Sequence, residues 1–164
     1  MYPLAKMRTN IFVRDAMTKR PVCAKPSTKI SECAKIMKKH DIGSLLITDE
    51  NGELLGIVTE EDFVRRLIAN EGDVTKPVST IMSKSVFTID ESEDIFDAIM
   101  KMKDLDIRHL PVVSEDGKLK GLITMKDILR LEPQLFELIV DIIELREEED
   151  KLSVIREKGL DRGL

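Results

Sequence analysis

The sequence is poor in cysteine and histidine, the usual ligands of structural zinc. It has two cysteines and two histidines in 164 residues. Cys23 and Cys33 stand ten positions apart without a CxxC spacing, and His40 and His109 lie elsewhere, so no four-ligand zinc site is expected. Cys33 falls on an apolar helical stripe and reads as a small buried hydrophobe. No apolar run approaches the ~20 residues of a bilayer crossing, so no membrane partner is expected. The first residues, Met1-Tyr2-Pro3-Leu4-Ala5-Lys6, lack the apolar region of a secretory signal, and a cytoplasmic location is expected. A basic excess is also missing: 26 Lys+Arg face 31 Asp+Glu, a net charge of −5. Phosphate-backbone binding wants a basic surface, and no helix-turn-helix or zinc signature appears, so nucleic acid is not an expected partner. No nucleophile can be set beside a base as in a Ser/His/Asp or Cys/His group. No catalytic residues are assigned, and the chain is not expected to be an enzyme. Gln occurs once and Asn three times among abundant Lys and Glu, a tilt found in proteins of heat-loving organisms.

What the sequence does have is a repeat. Shifted by 65 residues, Met17 falls on Met82, Ser27 on Ser92, Ile30 on Ile95, Asp41-Ile42 on Asp106-Ile107, Gly56 on Gly121, Thr59 on Thr124 and Asp62 on Asp127. The 50 pairs starting at Met17/Met82 include 16 identities and no gap, where unrelated sequences would give roughly 3. Each copy reads β-α-β-β-α. An extended piece (Val22 to Ala24; Val86 to Ile89) precedes an amphipathic helix carrying Ile30, Cys33, Ala34 and Met37, or Ile95, Ala98, Ile99 and Met102. Ser27 and Ser92 read as helix starts. Two strands follow, joined by Asn51-Gly52 or Asp116-Gly117, dipeptides that favour tight hairpins. A second helix begins at Thr59 or Thr124 and carries Phe63, Leu67 and Ile68, or Ile128 and Leu129.

These observations predict an α+β fold of two repeats packed pseudo-symmetrically, since units of this size bury too little surface alone. The expected organisation is a lead-in over 1–12, repeat 1 over 13–69, a linker over 70–77, repeat 2 over 78–132, and a C-terminal amphipathic helix with a frayed end over 133–164. In that tail Leu135, Leu138, Ile142, Leu145 and Leu152 keep heptad-like spacing, a seam that fits either a helix of a second copy or its own chain folded back, and a homodimer is expected. The tail also carries most of the acidity, with 5 Lys+Arg and 9 Asp+Glu.

Thr59-x-x-Asp62 and Thr124-x-x-Asp127 admit two readings. Each fits a helix cap with Asp in place of the usual Glu. Each also fits recognition of a nucleotide: a glycine letting the strand pass near a ligand, a hydroxyl and free N–H groups at a helix start, and a carboxylate for ribose hydroxyls.

The twice-repeated Gly-hydrophobic-hydrophobic-Thr-x-x-Asp, with Arg108-His109-Leu110-Pro111-Val112 before it and Asp15-Ala16-Met17 and Thr80-Ile81-Met82 at the repeat starts, resembles the cystathionine-β-synthase (CBS) domain family. A tandem pair there is a Bateman module, and the resemblance covers about Val13 to Leu131. It implies that the Thr and Asp of one repeat face the first strand and pre-strand segment of the other. Site A would then combine Gly56, Thr59, Asp62, Val86, Phe87, Arg108, His109 and Pro111. Site B would combine Gly121, Thr124, Asp127, Pro21, Val22, Cys23, Gly43, Ser44 and Leu45. Arg108 and His109 suit a phosphate, whereas Gly43 and Ser44 at the matching positions carry no charge, and Leu46 replaces Pro111; the site containing Arg108 is expected to bind a phosphorylated ligand more tightly. The implied function is a regulatory module that requires no cofactor and binds AMP, ADP, ATP or S-adenosylmethionine for a regulated partner protein to read. The alternative is a structural homodimer with degenerate ligand sites.

Overall fold

The helical spacing of the apolar residues, and the hairpin dipeptides between them, are realised twice in the described residues, 8–133 and Val140 of a computed structural model. Repeat 1 comprises α1 (Val13–Ala16), β1 (Cys23–Ala24), α2 (Ile30–His40), β2 (Ser44–Thr48), β3 (Leu54–Thr59) and α3 (Glu60–Asp62), which continues as a π-helical turn (Phe63–Leu67) and a 3-10 turn (Ile68–Asn70). Repeat 2 begins with a 3-10 turn (Val78–Thr80), then β4 (Ile89–Asp90), α4 (Ile95–Asp104), β5 (His109–Val113), β6 (Leu119–Thr124) and α5 (Met125–Leu131). The fold is α+β, with two three-stranded sheets of order β1-β2-β3 and β4-β5-β6. In each, the first strand runs parallel to the second and the hairpin closes antiparallel. Registers coincide under the 65-residue shift: Ser44 opposes Thr59 as His109 opposes Thr124. Gly52 and Gly117 close the hairpins at φ 84° and 80°, a left-handed conformation that costs glycine nothing.

The repeats are interlocked by exchange of their leading segments. Val13 is fully buried in the core of repeat 2, beside Ile95, Ile99, Leu110 and Ile128, while its counterpart Val78 is fully buried in the core of repeat 1, with Ile81 and Met82. Thr18 pairs with Leu122 of β6, and Ser83 pairs with Ile57 of β3. Both faces of β2 are covered, since all five of its residues are buried. Cys33 is buried, as its stripe predicts.

The exchange also moves the helix starts. Ser27 and Ser92 do not cap the helices; α2 and α4 begin at Ile30 and Ile95, whose N–H groups donate to Lys76 O and Ile11 O at 2.9 Å. A carbonyl distant in the chain thus satisfies the first donor of each helix; α2 has no side-chain cap, whereas in α4 the Asp94 side chain also accepts from Phe96 N. Ser92 instead turns on Asp90, to which its hydroxyl donates at 2.5 Å. The second helix of repeat 1 also departs from the expected periodicity: the π-helical turn leaves Leu67 buried but Ile68 exposed. Residues 1–7 of the lead-in, and the C-terminal helix with its heptad seam, lie outside the described residues. Among the described residues no helix is long and apolar enough to cross a membrane.

Candidate functional site

Both Thr-x-x-Asp motifs form capping boxes on the helix that follows the hairpin. Thr59 N and Oγ1 donate to Asp62 Oδ2 at 2.9 and 3.1 Å; Thr124 N and Oγ1 donate to Asp127 Oδ2 at 2.9 and 2.8 Å. The box uses one carboxylate oxygen and leaves the other, so capping and ligand recognition do not compete for the same atom. The remaining oxygens differ. Asp62 Oδ1 lies 3.1 Å from Arg66 Nε, whereas Asp127 Oδ1 has no hydrogen-bond or ion-pair partner among the described residues.

A cleft of about 1410 Å³ opens between the repeats beside Asp127. Of the site B residues, Pro21, Val22, Gly43, Ser44, Thr124 and Asp127 line it. Cys23 is exposed outside it, and Leu45 is fully buried in the core. Arg108 and His109, expected with site A, line this same cleft. Gly56, Thr59, Asp62, Val86, Phe87 and Pro111 are not among its lining residues: Phe87 is 51% exposed, and Pro111 is buried in β5. Gly56 and Gly121 permit a close approach, but of protein rather than ligand. A Cβ on Gly56 would meet Met82 Sδ at 2.8 Å and Ser83 O at 2.9 Å; on Gly121 it would meet Thr18 O at 2.6 Å and Met17 Sδ at 2.7 Å. The exchanged segments of the fold take the space that the motif reading gave to a ligand.

The cleft is electropositive. Arg20, Lys38, Arg108, Lys126 and Arg130 line it with the carboxylates Asp41, Glu60 and Asp127, and none of the five cations forms an ion pair among the described residues. His40 lines it too, at the end of α2. Sequence reasoning passed over Arg20, Glu60, Lys126 and Arg130 because solvated charges on helix faces and loops carry no period that marks a cleft. Burial, aided by the adjacent Arg108 charge, holds the His109 imidazole below its ordinary value against the opposing pull of Glu60 and Asp127. It is therefore neutral at pH 7, with one N–H to donate. Among the described residues no cluster of metal-binding side chains occurs.

The CBS domain matches the sequence twice, over residues 13–69 and 78–133. An uncharacterised protein of Methanopyrus kandleri is 33% identical over 141 residues, spanning 85% of this chain and 72% of that one. A solved CBS domain pair in complex with 5′-methylthioadenosine and S-adenosyl-L-methionine is 37% identical and superposes with a TM-score of 0.66 over 73% of this chain and 94% of its own. A structure solved in complex with AMP is 28% identical, with a TM-score of 0.66 over 77% of this chain and 98% of that one. Two matches in tandem, on a fold whose halves superpose in register and exchange their leading segments, place the chain in the CBS domain family as a CBS pair.

Proposed function

We propose that the chain is a regulatory module whose inter-repeat cleft binds an adenosine nucleotide or S-adenosylmethionine for a partner protein to read. The observation that carries this reading is the Oδ1 of Asp127, without a partner among the described residues, in a cleft flanked by cations that form no ion pair among them. Ribose hydroxyls donate to that carboxylate, Arg108 offers a fork to a phosphate, and His109 donates a further hydrogen bond. Val22, Ile42 and Met125 offer apolar surface for a planar base. The similar CBS pairs bound to AMP and to S-adenosylmethionine support the ligand class.

Regulation requires more than occupancy. A ligand moves an equilibrium only through different affinities for its two states, and a cleft walled by both repeats lets one ligand sense how they are packed. Calorimetric titration with AMP, ADP, ATP and S-adenosylmethionine tests the reading. At least one is expected to bind saturably, with Asp127→Ala weakening it about tenfold to a hundredfold, the loss of a hydrogen bond to a charged group. No saturable binding of any of the four at millimolar concentration overturns the proposal.

A further inference from the structure

The two carboxylates that the repeat makes equivalent are not equally available, and one side chain makes the difference. Arg66 places Nε 3.1 Å from Asp62 Oδ1 and donates from Nη1 to the Ile81 carbonyl at 3.0 Å. One guanidinium thereby ties the carboxylate of repeat 1 to the leading segment of repeat 2. Thr59 fills the other oxygen, Oδ2, through its N–H and hydroxyl. With 11% of its side chain exposed, Asp62 has little open surface left for the paired donors of a ribose. The 65-residue shift sets Leu131 against Arg66, and leucine has no side-chain donor; Asp127 Oδ1 has no partner among the described residues, and Asp127 lines the cleft.

We infer that the chain holds one adenosyl-ligand site, at Asp127, and that Arg66 is the residue that closes the second. The inference rests on the ligand-binding reading given above. A ribose reaching Asp62 must replace a charge-assisted hydrogen bond with neutral ones, and it also leaves the Ile81 carbonyl without its guanidinium donor. Arg66 thus sets the number of ligands bound and leaves the affinity of the Asp127 site untouched.

Calorimetric stoichiometry, with AMP and S-adenosylmethionine as separate probes on the full chain, tests this. The unmodified protein is expected to bind one equivalent, and Asp127→Ala to abolish or greatly weaken it. Arg66→Leu, which copies the arrangement of repeat 2, is expected to bind two equivalents. The Arg66→Leu/Asp127→Ala double variant is expected to keep one, at Asp62. Two equivalents in the unmodified protein overturn the inference without need of any substitution. A single equivalent in a folded Arg66→Leu variant overturns the role of Arg66 and leaves the proposed function standing. If neither probe binds the unmodified protein or Arg66→Leu, this inference fails, and the proposed function fails with it where ADP and ATP do not bind either.

Discussion

Thr59–Asp62 and Thr124–Asp127 build the same capping box at the end of the same hairpin in the same register, yet Asp62 Oδ1 is held by Arg66 while Asp127 lines the cleft with an Oδ1 that has no partner among the described residues. The shared features serve folding: the cap, the strand register, the glycine beneath the exchanged segment and the left-handed turn glycine. The features that differ are those on which the proposed recognition depends. Arg108-His109 stand against Gly43-Ser44, Leu131 against Arg66 and Lys126 against Glu61. The duplicated scaffold holds its backbone devices in common and varies the charged side chains around them.

The strongest test of the common scaffold is a matched pair of cavities. Leu45 and Leu110 are equivalent and fully buried in the two cores. Leu45→Ala and Leu110→Ala are each expected to cost about 2–5 kcal/mol in denaturant unfolding. Because each core is completed by the other repeat's leading segment, either variant should still unfold in a single transition. Two separated transitions would show that the halves fold independently and that the interlock contributes little.

A smaller difference is expected where the exchanged segments cross the hairpins. A methyl on Gly121 meets a backbone oxygen at 2.6 Å, whereas on Gly56 the nearest atom is a methionine sulfur at 2.8 Å, with the backbone oxygen at 2.9 Å. A methionine end shifts more readily than a carbonyl. Both Gly→Ala changes are expected to destabilise by about 1–3 kcal/mol, Gly121→Ala more than Gly56→Ala. The reverse order in thermal unfolding would mean that Met82 is the more rigid neighbour and that the repeats seat their partners differently.

The sequence made the local elements legible because they have a period or a fixed chemistry. The stripe Ile30–Cys33–Met37 reads as a buried helix face, and Asn51-Gly52 reads as a turn. The exchange of leading segments was not legible. Val13–Ala16 and Val78–Thr80 are too short to show a period, and their partners lie some 80 and 50 residues away along the chain, at Asp94 and Lys29. For the same reason Ser27 and Ser92 read as caps, whereas Ile30 and Ile95 donate to distant carbonyls and Asp94 itself caps α4, and Gly56 reads as ligand space that Met82 and Ser83 fill. Of the nine residues expected in site B, six, from Pro21 to Asp127, line one cleft. The placement of Arg108 and His109 beside them was not legible, because it depends on how two repeats pack. Arg66 left one sequence signal, its position four residues after Asp62, a spacing that pairs charges on a helix. The absence of that pair at Leu131 marks where the repeats diverge.

The helix caps offer a third contrast. Asp94 accepts hydrogen bonds from Phe96 N at 2.8 Å, Thr9 N at 3.0 Å and Asn10 N at 2.9 Å, whereas Lys29 at the matching position makes no side-chain cap. Asp94→Ala is expected to cost about 1–2 kcal/mol, and Lys29→Ala nearly nothing. Burial raises the Asp94 carboxyl, but the donors from Phe96, Thr9 and Asn10 outweigh it and hold the group below its ordinary value. Its contribution is therefore present above the ordinary carboxylate range and is lost as pH falls through the depressed folded value. Acid titration of stability should show a shallower loss for Asp94→Ala than for the unmodified protein. Equal acid sensitivity would place the titrating carboxylate elsewhere.

The smallest expected effect separates His109 from its counterpart Ser44, which does not titrate near neutrality. The unfolded imidazole takes up a proton below about pH 6.5, and the folded one, depressed by burial and by Arg108, takes it up only at lower pH. Between those values the unfolded state binds more protons, so stability falls as pH falls; above them His109 contributes no slope. His109→Gln should remove this slope. A phosphate bound beside His109 reverses the preference, because an anion favours the imidazolium, and AMP affinity should then rise over the interval in which stability of the free protein falls. The phosphate's own protonation near pH 6 is common to both proteins and cancels when the unmodified protein is compared with His109→Gln. Opposite slopes in stability and affinity, both lost in His109→Gln, put the phosphate against His109 in the Asp127 cleft. A stability slope without an affinity slope puts it against other cations of the cleft, with Lys38, Lys126 and Arg130 next to test.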